Sequence, residues 1–203
     1  MSTAPMLVDE ARSAAYWDRH YWHGGRSLHL GSQERQLLRI YSQVEPGQFA
    51  VDVGCGRGSL AAVMNAWGLN VLGLDMSEVA IEAARGTFQE YPHLRFDQMD
   101  ITADSVHPML RPGAVDLITC RLTLPYLDRP RFFGDARRWL KPGTGTLVVT
   151  TGVEELAPPV TVHRSLTLAE VNALGDDHWQ HVTRYPITVG GSVQCVVLRG
   201  PIR

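Results

Sequence analysis

The chain has 203 residues, 44% hydrophobic and 20% charged, with a formal net charge of -2 at neutral pH. That length supports one buried core without metal or disulfide help, and the composition excludes disordered and fibrous classes. The small net charge gives no broad basic field for a phosphate backbone, so a small-molecule partner is expected and a nucleic acid is not.

Residues 1 to 10 show no basic segment followed by an apolar run, and no stretch nears the roughly 18 apolar residues of a membrane span. Neither export nor membrane insertion is indicated. Residues 1 to 45 are rich in aromatics and histidines and read as an N-terminal helical cap or lid within the same domain, residues 46 to 203 forming the core. Within the cap, one amphipathic helix is expected over Asp9 to Tyr21 and a second over Ser32 to Ser42, with Ser32 as its N-cap. Pro46-Gly47 then turns the chain.

From Phe49 the pattern alternates. An apolar run Phe49 to Val53 precedes a helix Ser59 to Trp67, a run Asn70 to Leu74 and a helix Ser77 to Gln89. Strands near Leu94 to Gln98 and Val115 to Cys120, a helix Pro130 to Leu140 and a strand Thr146 to Thr151 follow. Such alternation predicts a doubly wound α/β fold, with helices on both faces of a mostly parallel sheet. Lys141-Pro142-Gly143 stops the last of these helices. After a short helix over Thr167 to Leu174, the segments Trp179 to Tyr185 and Ser192 to Arg199 read as an antiparallel hairpin turned at Gly190-Gly191. Cys55, Cys120 and Cys195 lack the paired spacing of a zinc site or disulfide framework, so reduced buried thiols, no metal and a cytoplasmic location are expected.

The segment Val51-Asp52-Val53-Gly54-Cys55-Gly56-Arg57-Gly58 joins a buried strand to a helix. Glycine adopts positive φ at little cost, and its missing side chain lets a ligand lie against the backbone. An acidic residue two positions before G-x-G-x-G resembles the signature of the class I S-adenosylmethionine-dependent methyltransferases. Gly56, Gly58 and Ala61 also satisfy the G-x-G-x-x-A pattern of dinucleotide enzymes, so the turn alone leaves a nicotinamide cofactor open. Asp75, about 20 residues on at a strand end, suits the ribose of either cofactor.

The resemblance implies S-adenosylmethionine as cofactor. The turn, with Gly54, Cys55, Gly56 and Gly58, would support its methionine part, and Asp52 would orient the ammonium group. Met76 would lie against the adenine, Asp100 would accept the adenine's exocyclic amine, and Ile101 would close the other face. The segment Ala114 to Arg121 resembles the family's fourth strand, which places Cys120 by the cofactor. Phe132 to Gly145 resembles the helix and L-K-P-G-x-G turn before its fifth strand, and the terminal hairpin matches the antiparallel last strand of its seven-stranded sheet. The resemblance covers residues 49 to 199.

Ligands of open α/β sheets bind outside the carboxyl ends of the strands, so the substrate is expected beyond Cys120 and Thr151, roofed by the N-terminal segment. From that roof Tyr16 is assigned to the cofactor and Tyr21 to the substrate, with Trp17, His20, Trp22 and His23 nearby. Arg121 and Tyr126 are further substrate candidates, although Arg121 equally suits a structural ion pair. If the acceptor needs a base, histidine is the natural choice, and His29 and His163 are the best placed. Many small-molecule members of the family carry a histidine soon after the fourth strand. Here the chain reads Arg121-Leu122-Thr123-Leu124-Pro125-Tyr126, so positioning for in-line methyl transfer is expected to matter more than proton transfer. A domain that keeps the cofactor for a cyclisation, or for no reaction, stays open as an alternative, and a nicotinamide-dependent oxidoreductase is a weaker one.

Overall fold

A computed structural model describes residues 10–25, 30–102, 107–156, 164–175 and 178–202. The order is α1 (Ala14–Trp22), α2 (Ser32–Ser42), β1 (Phe49–Val53), α3 (Ser59–Ala66), β2 (Asn70–Asp75), α4 (Glu78–Thr87), β3 (Leu94–Gln98) and β4 (Leu117–Arg121). Then come a 3₁₀ turn (Leu124–Tyr126), α5 (Arg129–Trp139), β5 (Thr146–Val153), β6 (Ser165–Leu166), α6 (Leu168–Ala173), β7 (Trp179–Pro186) and β8 (Val193–Pro201).

The sheet runs β3-β2-β1-β4-β5-β8-β7, with the short β6 pairing beside β5. Strands β1 to β5 pair in parallel, and β8 is antiparallel to both β5 and β7. This is the expected doubly wound sheet with its antiparallel last strand; only the two-residue β6 is additional.

Period-two alternation sorts the parallel strands onto two cores. Val51, Val53, Leu72, Leu74, Ile118, Leu147 and Val149 face Phe132, Ala136 and Trp139 of α5. Ala50, Val71, Leu117 and Val148 face Leu60, Ala61 and Met64 of α3 and Ile81 and Ala84 of α4. Strands buried on both faces read as continuous apolar runs, which is why Phe49 to Val53 is legible as one.

The expected start of the first helix, Asp9, lies outside the described residues; among these, α1 begins at Ala14, where the Ser13 hydroxyl caps it by accepting from the Tyr16 N–H. Ser32 is the first residue of α2 rather than its cap; extended Gly31 holds that place without a side-chain bond. Among the described residues no helix is long and apolar enough to cross a membrane.

The chain runs from β1 outward through β2 to β3, then crosses back to β4 on the other side of β1. The loops after β1 and β4 therefore diverge at the carboxyl edge of the sheet, and such a switch point leaves a crevice.

Candidate functional site

The crevice begins at the glycine turn. Gly54, Gly56 and Gly58 have φ of 69°, 52° and 80°, the left-handed region that suits glycine. A Cβ at Gly54 would lie 2.1 Å from the Thr123 hydroxyl oxygen, and one at Gly58 would lie 2.5 Å from the Phe96 ring. Both positions thus also serve close packing within the protein.

Asp75 ties this turn to the next one. Its Oδ2 accepts from the Gly56 N–H at 2.8 Å, and its Oδ1 accepts from the Ser77 N–H at 2.9 Å. Burial raises its pKa, and these backbone donors work against the rise. Each oxygen keeps a lone pair for a ligand hydroxyl.

Asp52 lies at the floor with 1% of its surface exposed. Its Oδ1 accepts from the Thr119 hydroxyl at 2.7 Å, whereas Oδ2 is buried without a hydrogen-bond partner among the described residues. Burial pushes the carboxyl up to about 7, against the opposing pull of Thr119 and Arg121. An unpaired buried carboxylate oxygen is costly, and a cationic ligand group in the cleft would satisfy it.

The cleft holds about 1000 Å³ of empty space, its open mouth included. Among the expected site residues, Asp52, Gly54, Cys55, Asp75, Met76, Ile101, Tyr21, Arg121 and Tyr126 line it. Gly56 and Gly58 shape the turn behind its surface. His29 and His163 lie outside the described residues.

Three assignments come out differently. Cys120 is fully buried in the core and does not line the cleft, because β4 runs one residue further than expected and its end is Arg121. The Asp100 carboxylate is turned to Thr102, accepting from its N–H at 2.8 Å and its hydroxyl at 2.6 Å, and is not a lining group. Tyr16 packs edge-on against Trp17 outside the cleft, and Trp17 takes the inward place.

Arg121 reaches the cleft wall, and its Nε and Nη2 donate to the two carboxylate oxygens of Glu34 at 2.7 and 3.0 Å. Glu34 is 6% exposed, so this is a buried bidentate pair holding α2 to the end of β4. The structural alternative for Arg121 is the one realised. The Tyr126 oxygen accepts from the Arg164 N–H at 3.0 Å, and burial raises its pKa, which leaves it unsuited to act as a base.

The N-terminal segment is clipped to both turns of the crevice. Asp18 Oδ1 accepts from the Ser77 hydroxyl at 2.7 Å and from the Val79 N–H at 3.2 Å, at the start of α4. Arg57 Nη2 donates to the Tyr21 carbonyl at 2.6 Å, and its guanidinium lies 5.7 Å over the Tyr21 ring. Leu30, Met99, Leu122, Thr123 and Leu127 also line it and carry no signal in the sequence that singles them out. Trp17 does have a readable one: it stands four residues before Tyr21, on the same helical face.

Residues 51 to 149 match a family model described as a methyltransferase domain. A ubiquinone biosynthesis O-methyltransferase of Schizosaccharomyces pombe is 31% identical over 142 residues, covering 67% of this chain and 50% of that protein. The chain spans about half the length of the curated relatives it matches, 50%, 41% and 56% in three cases. Among solved structures, Haemonchus contortus phosphoethanolamine N-methyltransferase 2 superimposes with a TM-score of 0.69 at 14% identity, over 99% of this chain and 60% of that one. The [4+2]-cyclase SpnF does so with a TM-score of 0.65 at 17% identity, over 83% of this chain and 80% of that one. At those identities the likeness is one of fold. Residues 51 to 149 thus resemble a methyltransferase domain, on a fold shared with S-adenosylmethionine-dependent methyltransferases.

Proposed function

We propose that this chain binds S-adenosylmethionine in the cleft and transfers its methyl group to a small-molecule acceptor. The observation that carries the reading is the buried Oδ2 of Asp52, without a hydrogen-bond partner among the described residues, beneath a glycine turn, with Asp75 at the next strand end. Asp52 would accept from the ligand's ammonium group, Asp75 from its ribose hydroxyls, and Met76, Met99 and Ile101 would flank its adenine. When bound, the cofactor supplies an electrophilic methyl group; the protein's part is to align the acceptor and exclude water. The relative from Schizosaccharomyces pombe is named as an O-methyltransferase, which favours an oxygen acceptor. The near-neutral charge favours a small molecule over a nucleic acid, and the buried free cysteines suit the cytoplasm.

Calorimetry with S-adenosylhomocysteine and with a nicotinamide dinucleotide tests the cofactor. Binding of the first alone is expected, and binding of the second alone sinks the reading. Asp75→Ala should weaken S-adenosylhomocysteine binding by about 1 to 3 kcal/mol, through unpaired ribose hydroxyls and a slackened turn. An unchanged affinity would remove Asp75 from the site.

Residues 1 to 45 are proposed as a cap on the same domain, with α1 as its moving part. The clips through Asp18 and Arg57 join α1 to the two turns that would hold the ligand, so occupancy and closure should be coupled. Limited proteolysis should cut the N-terminal segment readily in the free protein and slowly with S-adenosylhomocysteine bound. Equal cutting in both states contradicts the cap role.

A further inference from the structure

The cleft has two halves of different chemistry. The half on the ends of β1, β2 and β3 holds both carboxylates, Asp52 and Asp75, and the cofactor reading accounts for it. Among the described residues, the other half is lined by Trp17, Tyr21 and Leu30 from the N-terminal segment and Leu122, Thr123, Tyr126 and Leu127 from beyond β4. None of those seven side chains is charged at neutral pH. At the boundary the Arg121 guanidinium meets the Glu34 carboxylate in two hydrogen bonds, so the local charges cancel. The Arg57 and Arg164 guanidinium groups lie 5.7 and 5.6 Å over the Tyr21 and Tyr126 rings, so a cationic acceptor would meet like charge here and no unpaired carboxylate among the described residues of this half.

The aromatic rings do not frame an ammonium group either. Trp17 packs edge-on against Tyr126 at 5.2 Å between centroids and tilted against Tyr21 at 6.3 Å. Those are separations of direct ring contact, with no space between the rings for a cation. Surfaces of this kind accept a flat apolar body. The Tyr126 oxygen already accepts from Arg164, which leaves its own hydrogen to donate to an oxygen of such a body.

Leu122 stands out within this wall. Its φ is 59°, in the left-handed region, and its N–H is held by the Thr150 carbonyl at 2.7 Å. Leucine has no polar side chain to stabilise that conformation, as asparagine or aspartate would. Backbone strain of this sort persists where surrounding structure over-determines it, and it clusters at ligand sites. Here the turn at Leu122 sets a branched apolar side chain into the cleft wall between the cofactor half and Tyr126.

We propose that this half is the acceptor subsite, that it takes a flat ring bearing a hydroxyl group and no positive charge, and that Leu122 is its specificity-determining residue. The proposal rests on the cofactor reading of the other half. In the transfer, the acceptor oxygen forms a bond to the methyl carbon while the carbon–sulfur bond breaks and its electron pair stays on sulfur. The hydroxyl proton passes to water.

The test uses protein saturated with S-adenosylhomocysteine and two naphthalene probes, 2,3-dihydroxynaphthalene and 2-naphthylmethylamine. Calorimetry should show the diol binding at least tenfold more tightly than the cationic probe. Leu122→Ala should weaken diol binding at least tenfold with S-adenosylhomocysteine affinity unchanged. Leu122→Gly, which suits the backbone, should show the same loss while melting no lower than Leu122→Ala, so that misfolding does not explain it. Tyr126→Phe should narrow the preference for the diol over unsubstituted naphthalene. Equal or tighter binding of the cationic probe, or an unaltered diol affinity in both Leu122 variants, overturns the proposal. If S-adenosylhomocysteine itself does not bind, the cofactor reading falls and this one falls with it. If it binds and the probes are not distinguished, this proposal alone falls.

Discussion

Affinity for S-adenosylmethionine is expected to rise about tenfold per pH unit up to pH 7, where Asp52 ionises in the free protein. The cofactor's ammonium needs the carboxylate form, so below pH 7 binding must first remove a proton from Asp52. Above the ammonium group's own pKa, about 7.7 to 8.0 for an ordinary α-amino group, the cation is lost and affinity falls again. A maximum between those limits follows, with nearly one proton released from Asp52 on binding at pH 6. Calorimetry in two buffers of different ionisation enthalpy measures that proton directly. Asp52→Asn should abolish the lower limb and weaken binding at the maximum by about 1.5 to 3 kcal/mol, the value of a hydrogen bond to a charged group. A flat profile through pH 7 would mean that Asp52 does not meet the ammonium group.

The same carboxyl affects the stability of the free protein. Its folded-state pKa, about 7, lies above the ordinary aspartate value of 3.8, so the folded state holds the proton more tightly. That contribution is present below the unfolded value and is lost as pH rises through the folded one. By pH 8 an ionised, half-paired Asp52 costs up to about 4 kcal/mol relative to the protonated form. Asp52→Asn should therefore melt higher than the parent at pH 8 in the absence of ligand, the mark of a residue whose role in binding works against stability.

The second large effect is structural. Glu34→Ala removes the carboxylate that faces Arg121 in a buried bidentate pair and should destabilise the fold by about 3 to 5 kcal/mol, the cost of leaving one buried charge without its partner. The double variant Glu34→Leu, Arg121→Met should recover most of that loss, because two apolar side chains of similar volume leave no charge behind. Thermal or denaturant unfolding of the single and double variants separates the terms. A double variant as unstable as the single one would show that packing of α2, rather than the unpaired charge, sets the cost.

The parts of this cleft that are legible in the sequence are those that depend on local chemistry. A buried strand that ends in three closely spaced glycines and continues as a helix has to turn tightly, which locates Asp52 and the turn at a strand end. Asp75 follows at the end of the next apolar run. The antiparallel final strand is readable because β7 and β8 are neighbours in sequence as well as in space. What the sequence does not disclose depends on distant or unfavoured arrangements. Glu34 and Arg121 are 87 positions apart, and nothing in the neighbourhood of either announces the other. A leucine carries no local cue for positive φ, so the turn at Leu122 is invisible until the chain is folded. The choice of Trp17 over Tyr16 is a matter of helix phase, fixed by where Asp18 and Arg57 clip α1 down. The Asp100 carboxylate finds a nearer donor in Thr102, a local hydrogen bond of the kind that short polar side chains often make in loops.

The proposed transfer by positioning presupposes that methyl transfer to a small molecule occurs at all. Incubation with S-adenosylmethionine carrying an isotopically labelled methyl group, in a mixed metabolite extract, tests that most directly. Mass spectrometry should find the label on one or a few small molecules with the parent protein and on none with Asp52→Ala. Label appearing only in the protein or nucleic-acid fraction, or in no fraction although the cofactor binds, would contradict the account.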